Sequence, residues 1–235
     1  MRPVNKGDSP YVTISDYSEA FPYLEERIGI YCSYCEFRID HVPEVEHISS
    51  KSKGGDKTAW SNLLLGCKYC NTRKSNLVTP LNKDDYLWPD TDNTAIAYSY
   101  TGGIPKVNAS VLRKLDPGGQ SLKKAINLHE LVKLGNIPGP KDKDRRFKSR
   151  IEAYGCAKKS LQKWQTIADK EDPTASGFLE QTIEFAKYTG FFSIWAAVFE
   201  CDPYVLNALI RAFPGTGHTV FDENGHPKLL LKGSR

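Results

Sequence analysis

Four cysteines, one histidine and a few carboxylates and carboxamides in the first third of the chain have the types and spacing to do chemistry. Cys32 and Cys35 form one Cys-x-x-Cys pair, Cys67 and Cys70 a second, with 31 residues between Cys35 and Cys67. Four thiolates suit Zn²⁺, which takes soft ligands tetrahedrally. Each pair lets one tight turn present two sulfurs to the ion. Redox chemistry of the thioredoxin type accounts for one such pair and leaves the second unexplained. The spacing therefore predicts a structural zinc at Cys32, Cys35, Cys67 and Cys70, with a binding free energy of roughly 10 kcal/mol or more coupled to folding. The stretch between the pairs exceeds the about 15–20 residues of a plain zinc ribbon. It holds Glu46, His47 and Asn62, and Asn71 follows directly after Cys70.

The runs "VEHISSKSKGG", "SN" and "CKYCN" resemble the zinc-containing HNH endonuclease family, built on the ββα-metal finger. The family pattern is an acidic residue or His followed by His at the end of a hairpin. An Asn comes about fifteen residues later, then an Asn or His at a helix start. Glu46-His47, Asn62 and Asn71 occupy those positions, with 15 residues from His47 to Asn62 and nine more to Asn71. The resemblance spans Tyr31 to Asn76, about a fifth of the chain. It implies an endonuclease with His47 as general base, Glu46 and Asn71 as ligands of a catalytic Mg²⁺ or Mn²⁺, and Asn62 holding the loop and the imidazole through backbone hydrogen bonds. The zinc fixes the helix start that carries Asn71. Some members place another His four residues after the Asn71 position; here that residue is Ser75, which implies two protein ligands and several waters.

The chemistry of these residues points the same way. Phosphodiester hydrolysis needs an activated water and a cation to offset charge on the phosphate. A histidine of ordinary pKa, near 6.5, is neutral at pH 7 and accepts a proton from water. Glu46 and Asn71 offer the hard oxygens that Mg²⁺ or Mn²⁺ accepts. Neighbours in a strand point to opposite faces, so Glu46 and His47 share a site only if the chain turns there, which the polar loop from Ser49 allows. Lys51, Lys53, Lys57, Lys68, Arg73 and Lys74 surround the motif. Lys51, Lys53, Arg73 and above all Lys74 are the phosphate-binding candidates, and such contacts weaken steeply with salt. Lys141 to Arg150 is a second basic stretch, explained equally well as a solvated helix start. Trp60, Trp88 and Tyr86 have the chemistry to stack on bases, and core packing suits each better. Asp40-His41, a second acid-His pair, falls at the expected hairpin turn, at the wrong distance from Asn62 and Asn71. The expected substrate is DNA. RNA suits the same site, and a non-catalytic zinc module that binds DNA is the alternative of another class.

The elements that must position these residues are legible in outline. "SDYSEAFPYLEERIG" reads as a helix capped by Ser15 or Asp16 and stopped at Gly29. "FRIDHVPEVEHI" reads as a β-hairpin turning around Asp40 to Pro43. A polar loop follows from Ser49 to Asn62, and a short helix starts near Cys67. Beyond Pro80 a mixed segment holds a strand at "TAIAYSY". Helices follow in "SLKKAINLHELVKL", "RRFKSRIEAYGCAKKSLQKWQTIADK", "SGFLEQTIEFAKYTGFFSIWAAVFE" and "PYVLNALIRAF", and Asn224-Gly225 signals a hairpin. The expected fold is α+β: a zinc-stabilised, treble-clef-like ββα-metal nuclease domain over residues 1–90, then a mainly helical domain over 91–235. Cys156 and Cys201 read as core residues.

Composition sets the outer bounds. Of 235 residues, 40% are hydrophobic and 26% charged, as in an ordinary globular protein, and a net charge of +4 permits a nucleic-acid partner without requiring one. "MRPVNKGDSP" lacks the apolar core of a secretory signal, and "FFSIWAAVF" is about half a membrane span. Reduced thiols on a metal in the cytoplasm are the expectation. A weaker resemblance, in "MRPVNKG", "CSYCE", "YLWPDTDNT" and "AYSYTGG", is to stand-alone bacterial HNH effectors of anti-phage defence. These include the nuclease partner of an ATPase in Septu-type systems and retron-associated proteins. It implies an ATPase partner docked by the helical region from about Lys106 onward.

Overall fold

The computed structural model describes residues 1–167 and 172–232. Near the N-terminus, Asp16 accepts from Ser18 N while Glu19 reaches back to Asp16 N. This capping box starts a 3₁₀ turn, Tyr17–Ala20, that runs into α1 (Phe21–Ile28). Gly29, at φ 72°, ends α1 where the sequence places the stop.

The expected hairpin does not form. Arg38 bridges back to Tyr31 and Ile39 N donates to Ile30 O, so Phe37–Ile39 closes the turn that carries the first cysteine pair. Glu36 stands inside that turn at φ 65°. β1 (Pro43–His47) pairs instead with β2 (Leu63–Cys67), antiparallel, with Glu46 opposite Leu64 and His47 opposite Leu63. All five residues of β2 are buried. "LLLGC" has no alternation to announce a strand, as expected of one covered on both faces. α2 (Lys68–Lys74) follows at once, with Cys67 Sγ accepting from Cys70 N.

The expected strand at Thr94–Tyr100 is largely a helical turn, α3 (Thr94–Ala97); only β3 (Tyr98–Ser99) pairs, with β4 (Lys106–Val107). Helices α4 (Ala109–Leu115), α5 (Gln120–Leu131) and α6 (Arg146–Gln165) come next. Residues 168–170, the end of the helix expected from Arg145 onward, lie outside the described residues. The next apolar segment divides into α7 (Pro173–Thr189) and α8 (Phe192–Val198) at Gly190, where a Cβ would stand 2.8 Å from Glu36 O. α9 (Pro203–Ala212) is capped by Asp202, which accepts from Val205 N. Asn224-Gly225 makes a tight turn closed by a Phe221–Pro227 bridge, without extended strands.

The arrangement is a mixed α/β unit with a four-cysteine site near the N-terminus, followed by helices. Leu63, Leu64, Leu65, Val78 and Trp88 pack in one cluster with Tyr98, Leu112, Leu128, Ala153 and Ile194, so the core runs unbroken past residue 90. A second cluster gathers Trp164, Trp195, Phe199, Leu209 and Phe213. Cys156 and Cys201 are exposed, contrary to expectation. α6 buries its Ala153, Ala157, Ser160 and Trp164 face, which leaves Cys156 outside, and Cys201 sits in the turn before α9. No helix among the described residues is long and apolar enough to cross a membrane.

Candidate active site and zinc centre

The two cysteine pairs converge. One ligand atom from each of Cys32, Cys35, Cys67 and Cys70 lies within 4.8 Å of the others, and all four residues are buried. Cys35 and Cys67 sulfurs are 3.7 Å apart. Free thiols gain little from such crowding, whereas thiolates around one divalent cation fit it. The donor set therefore suits zinc. It sits at the start of α2 and ties that helix to the Cys32–Cys35 turn, next to β2 through the bond from Ser33 N to Leu65 O, 2.8 Å.

His47 is the last residue of β1 and is 8% exposed. Its ring meets Tyr17 edge-on, centroids 4.8 Å apart, and its Nε2 lies 2.9 Å from Lys57 O. A carbonyl only accepts, so Nε2 carries the proton and Nδ1 keeps its lone pair. Burial lowers the imidazole pKa below 6.5, and the charges of Lys51 and Lys74 add to this against the bond to Lys57 O. The ring is thus neutral near pH 7, with one nitrogen fixed and the other basic.

Asn62 holds the loop that carries Lys57 O. Its Oδ1 accepts from Ser49 N at 2.8 Å, and its Nδ2 donates to Ser49 O at 3.0 Å and Asp56 O at 2.6 Å. Ile48 N donates to Asn62 O at 2.9 Å. Gly55 is packed so closely that a Cβ there would stand 2.1 Å from Ser49 O. From below, Lys6 Nζ donates to Trp60 O and Leu63 O, both at 2.8 Å, and pairs with Asp90. Nothing in the local sequence marks Lys6 for this role.

Glu46 points to the other face of β1. A Cβ on Gly66 would stand 3.2 Å from Glu46 Cβ and 3.9 Å from Asn71 Cβ, so one glycine lets the two side chains share a side of β2. Glu46 is 1% exposed; Tyr34 OH donates to its Oε2, and its Oε1 lies 2.7 Å from Lys74 Nζ. Burial raises the Glu46 pKa, with Lys74 and the Tyr34 hydroxyl opposing. Oε1 has the Lys74 ammonium as its partner and no further hydrogen bond despite its burial. A buried oxygen with spare acceptor capacity, beside an amide and a second carboxylate, fits a hard divalent cation.

That second carboxylate is Glu44, whose Oε2 accepts from Asn71 Nδ2 at 2.7 Å and whose Oε1 pairs with Lys68 at 3.0 Å. It escaped the sequence reading, although strand alternation puts Glu44 and Glu46 on one face. Glu46, Asn71 and Glu44 are therefore neighbours, while His47 and Asn62 lie toward the loop. Lys74, whose charge acts on both Glu46 and His47, links the two groups.

Lys74 requires a correction. Expected to meet phosphate, it is 1% exposed, held by Glu46 and by Ile48 O at 3.0 Å. Its place on the inner face of α2 turns it into the sheet. Lys51 and Lys53 are exposed, with Lys51 Nζ 3.8 Å above the Tyr17 ring. Arg73 is exposed and lies over Tyr69 at 5.0 Å. The second basic stretch splits: Lys141, Lys143, Arg145 and Lys148 face solvent, whereas Arg146 and Arg150 are buried. Trp60 and Trp88 are core residues, and His41 is exposed apart from the site.

Residues 32–77 match the model of the HNH endonuclease family. The matched span begins at Cys32, ends three residues after Lys74, and takes in every side chain of the two groups. The span 32–77 is thus similar to an HNH endonuclease domain and contains a zinc-capable cysteine cluster. No curated protein and no solved structure matches it.

Proposed function

We propose that this protein is a metal-dependent HNH endonuclease that hydrolyses phosphodiester bonds of DNA, with His47 as general base. The observation that carries the reading is the state of His47: Nε2 held by Lys57 O, Nδ1 left basic, and the pKa lowered by burial. Nδ1 takes a proton from water, the water oxygen forms its bond to phosphorus, and the ester oxygen on the far side leaves with the electron pair. Asn62 keeps the imidazole aimed by fixing both ends of the loop that presents Lys57 O. Glu46 and Asn71, with Glu44 beside them, are the residues to hold Mg²⁺ or Mn²⁺. When bound, that cation supplies positive charge against the phosphate. Lys51, Lys53 and Arg73 are the exposed cations placed to meet the backbone. Residues 1–90 bear the chemistry in a treble-clef-like ββα arrangement, and 91–235 support it.

The stretches that resemble defence effectors support a cytoplasmic role in anti-phage defence beside an ATPase partner. Plasmid DNA and RNA incubated with purified protein, with and without Mg²⁺ or Mn²⁺, test the nuclease reading. DNA cleavage that needs the metal and is lost in His47→Ala is expected. Binding without cleavage under every condition, including with co-purified partners, overturns it.

A further inference from the structure

α6 reaches back across the molecule to the cysteine cluster with two buried arginines one turn apart. Arg146 donates Nη1 to Cys70 Sγ at 3.2 Å, stacks over Tyr69 at 4.1 Å, and pairs through Nε and Nη2 with Asp144 at 3.0 Å. Arg150 is 1% exposed, and none of its three guanidinium nitrogens has a hydrogen-bond partner. An unpaired buried guanidinium is among the costliest groups a core can hold. Asp144 is already engaged by Arg146 and Asn136, and Tyr100 OH is given to Glu36. Of the groups whose negative charge favours the Arg150 guanidinium, Cys35 of the cluster acts most strongly, ahead of Tyr100 and Asp144, and Arg146, one turn earlier on α6, touches the cluster directly at Cys70. Four thiols carry no charge, but four thiolates around Zn²⁺ leave a net charge of roughly −2, spread over sulfurs that the apolar core cannot screen.

We propose that Arg146 and Arg150 are the counter-cations of the zinc–thiolate centre, so that α6 is part of the metal site. Arg146 shares its charge between Cys70 and Asp144; Arg150 acts through space on the cluster as a whole. The helical region is thereby seated by the same ion that fixes α2 and Asn71. This rests on the four cysteines holding zinc and is independent of nuclease activity.

The test is zinc affinity of the full chain, measured by competition with a chromophoric chelator, for wild type, Arg150→Met and Arg150→Lys. Charge compensation predicts that Arg150→Met binds zinc about 10–100-fold more weakly, the scale of losses at outer-shell partners of metal sites. Arg150→Lys should recover most of the loss. Co²⁺ substitution should show the thiolate-to-metal charge-transfer band displaced in Arg150→Met. A merely structural arginine would not move that band. In the metal-free protein the sign reverses: Arg150→Met should melt higher than metal-free wild type, because an uncompensated buried charge is gone. Unchanged zinc affinity and an unchanged Co²⁺ spectrum in Arg150→Met overturn the proposal. So does a wild-type chain that binds no zinc, which would also overturn the zinc assignment while leaving the nuclease assay to be judged separately.

Discussion

At His47 two contacts set the chemistry: a carbonyl fixes the tautomer and burial keeps the ring neutral. His47→Ala should fold normally and lose about 10²–10⁴-fold in cleavage rate, the usual contribution of a positioned base. Because the ring pKa lies below 6.5, activity should rise with pH through a midpoint under 6.5 as Nδ1 loses its proton, then level off. A midpoint above 6.5 in the rate profile would contradict the assigned environment. Lys74 gives a second prediction at this scale. Lys74→Met strands the Glu46 carboxylate in a site 1% exposed, so stability should fall by about 3–5 kcal/mol in urea denaturation. Added Mn²⁺ should raise the melting temperature of this variant more than that of wild type. The sequence made the types and spacings of Glu46, His47, Asn62 and Asn71 readable. It did not show that Lys74 turns inward, because a lysine on a short helix is equally at home on either face until the packing partner is known.

At the scale of elements, the Ser49–Asn62 loop is held by close backbone approach. In Gly55→Ala the new Cβ would meet Ser49 O at 2.1 Å, so the loop must shift. The expected cost is about 1–3 kcal/mol or more, with cleavage lost and zinc retained, as read by denaturation and metal analysis. Cys67→Ser should lose zinc and fold poorly, since Cys67 also caps α2; a well-folded, zinc-free and active variant would count against the zinc argument. The short helix after Cys67 was legible from its uninterrupted run. The partner of β1 was not: "FRI" has strand propensity, but the cysteine turn consumes its hydrogen bonds, and β2 hides in a run with no alternation. Pairing across 16 or more residues is decided by packing that propensity does not encode.

At the scale of the molecule, the nuclease motif and the helices share a core. A fragment of residues 1–90 would expose Leu63, Leu64, Val78 and Trp88 faces that pack on Leu112, Leu128 and Ile194. It should lack a cooperative unfolding transition even with zinc, measured by near-ultraviolet circular dichroism. The sequence suggests a boundary between Pro80 and Ala95, but the long-range contacts that run across it leave no mark in local sequence. Arg146 illustrates this: it reads as part of a basic run, and it proves to donate to Cys70 Sγ, 76 residues away in the chain. The most direct test of the account is single-turnover cleavage of plasmid DNA in Mg²⁺ or Mn²⁺ by wild type and His47→Ala, both verified to be folded and zinc-loaded. Metal-dependent cleavage by wild type and a loss of at least about 10²-fold in the variant is the result expected. Equal rates for the two proteins would contradict it.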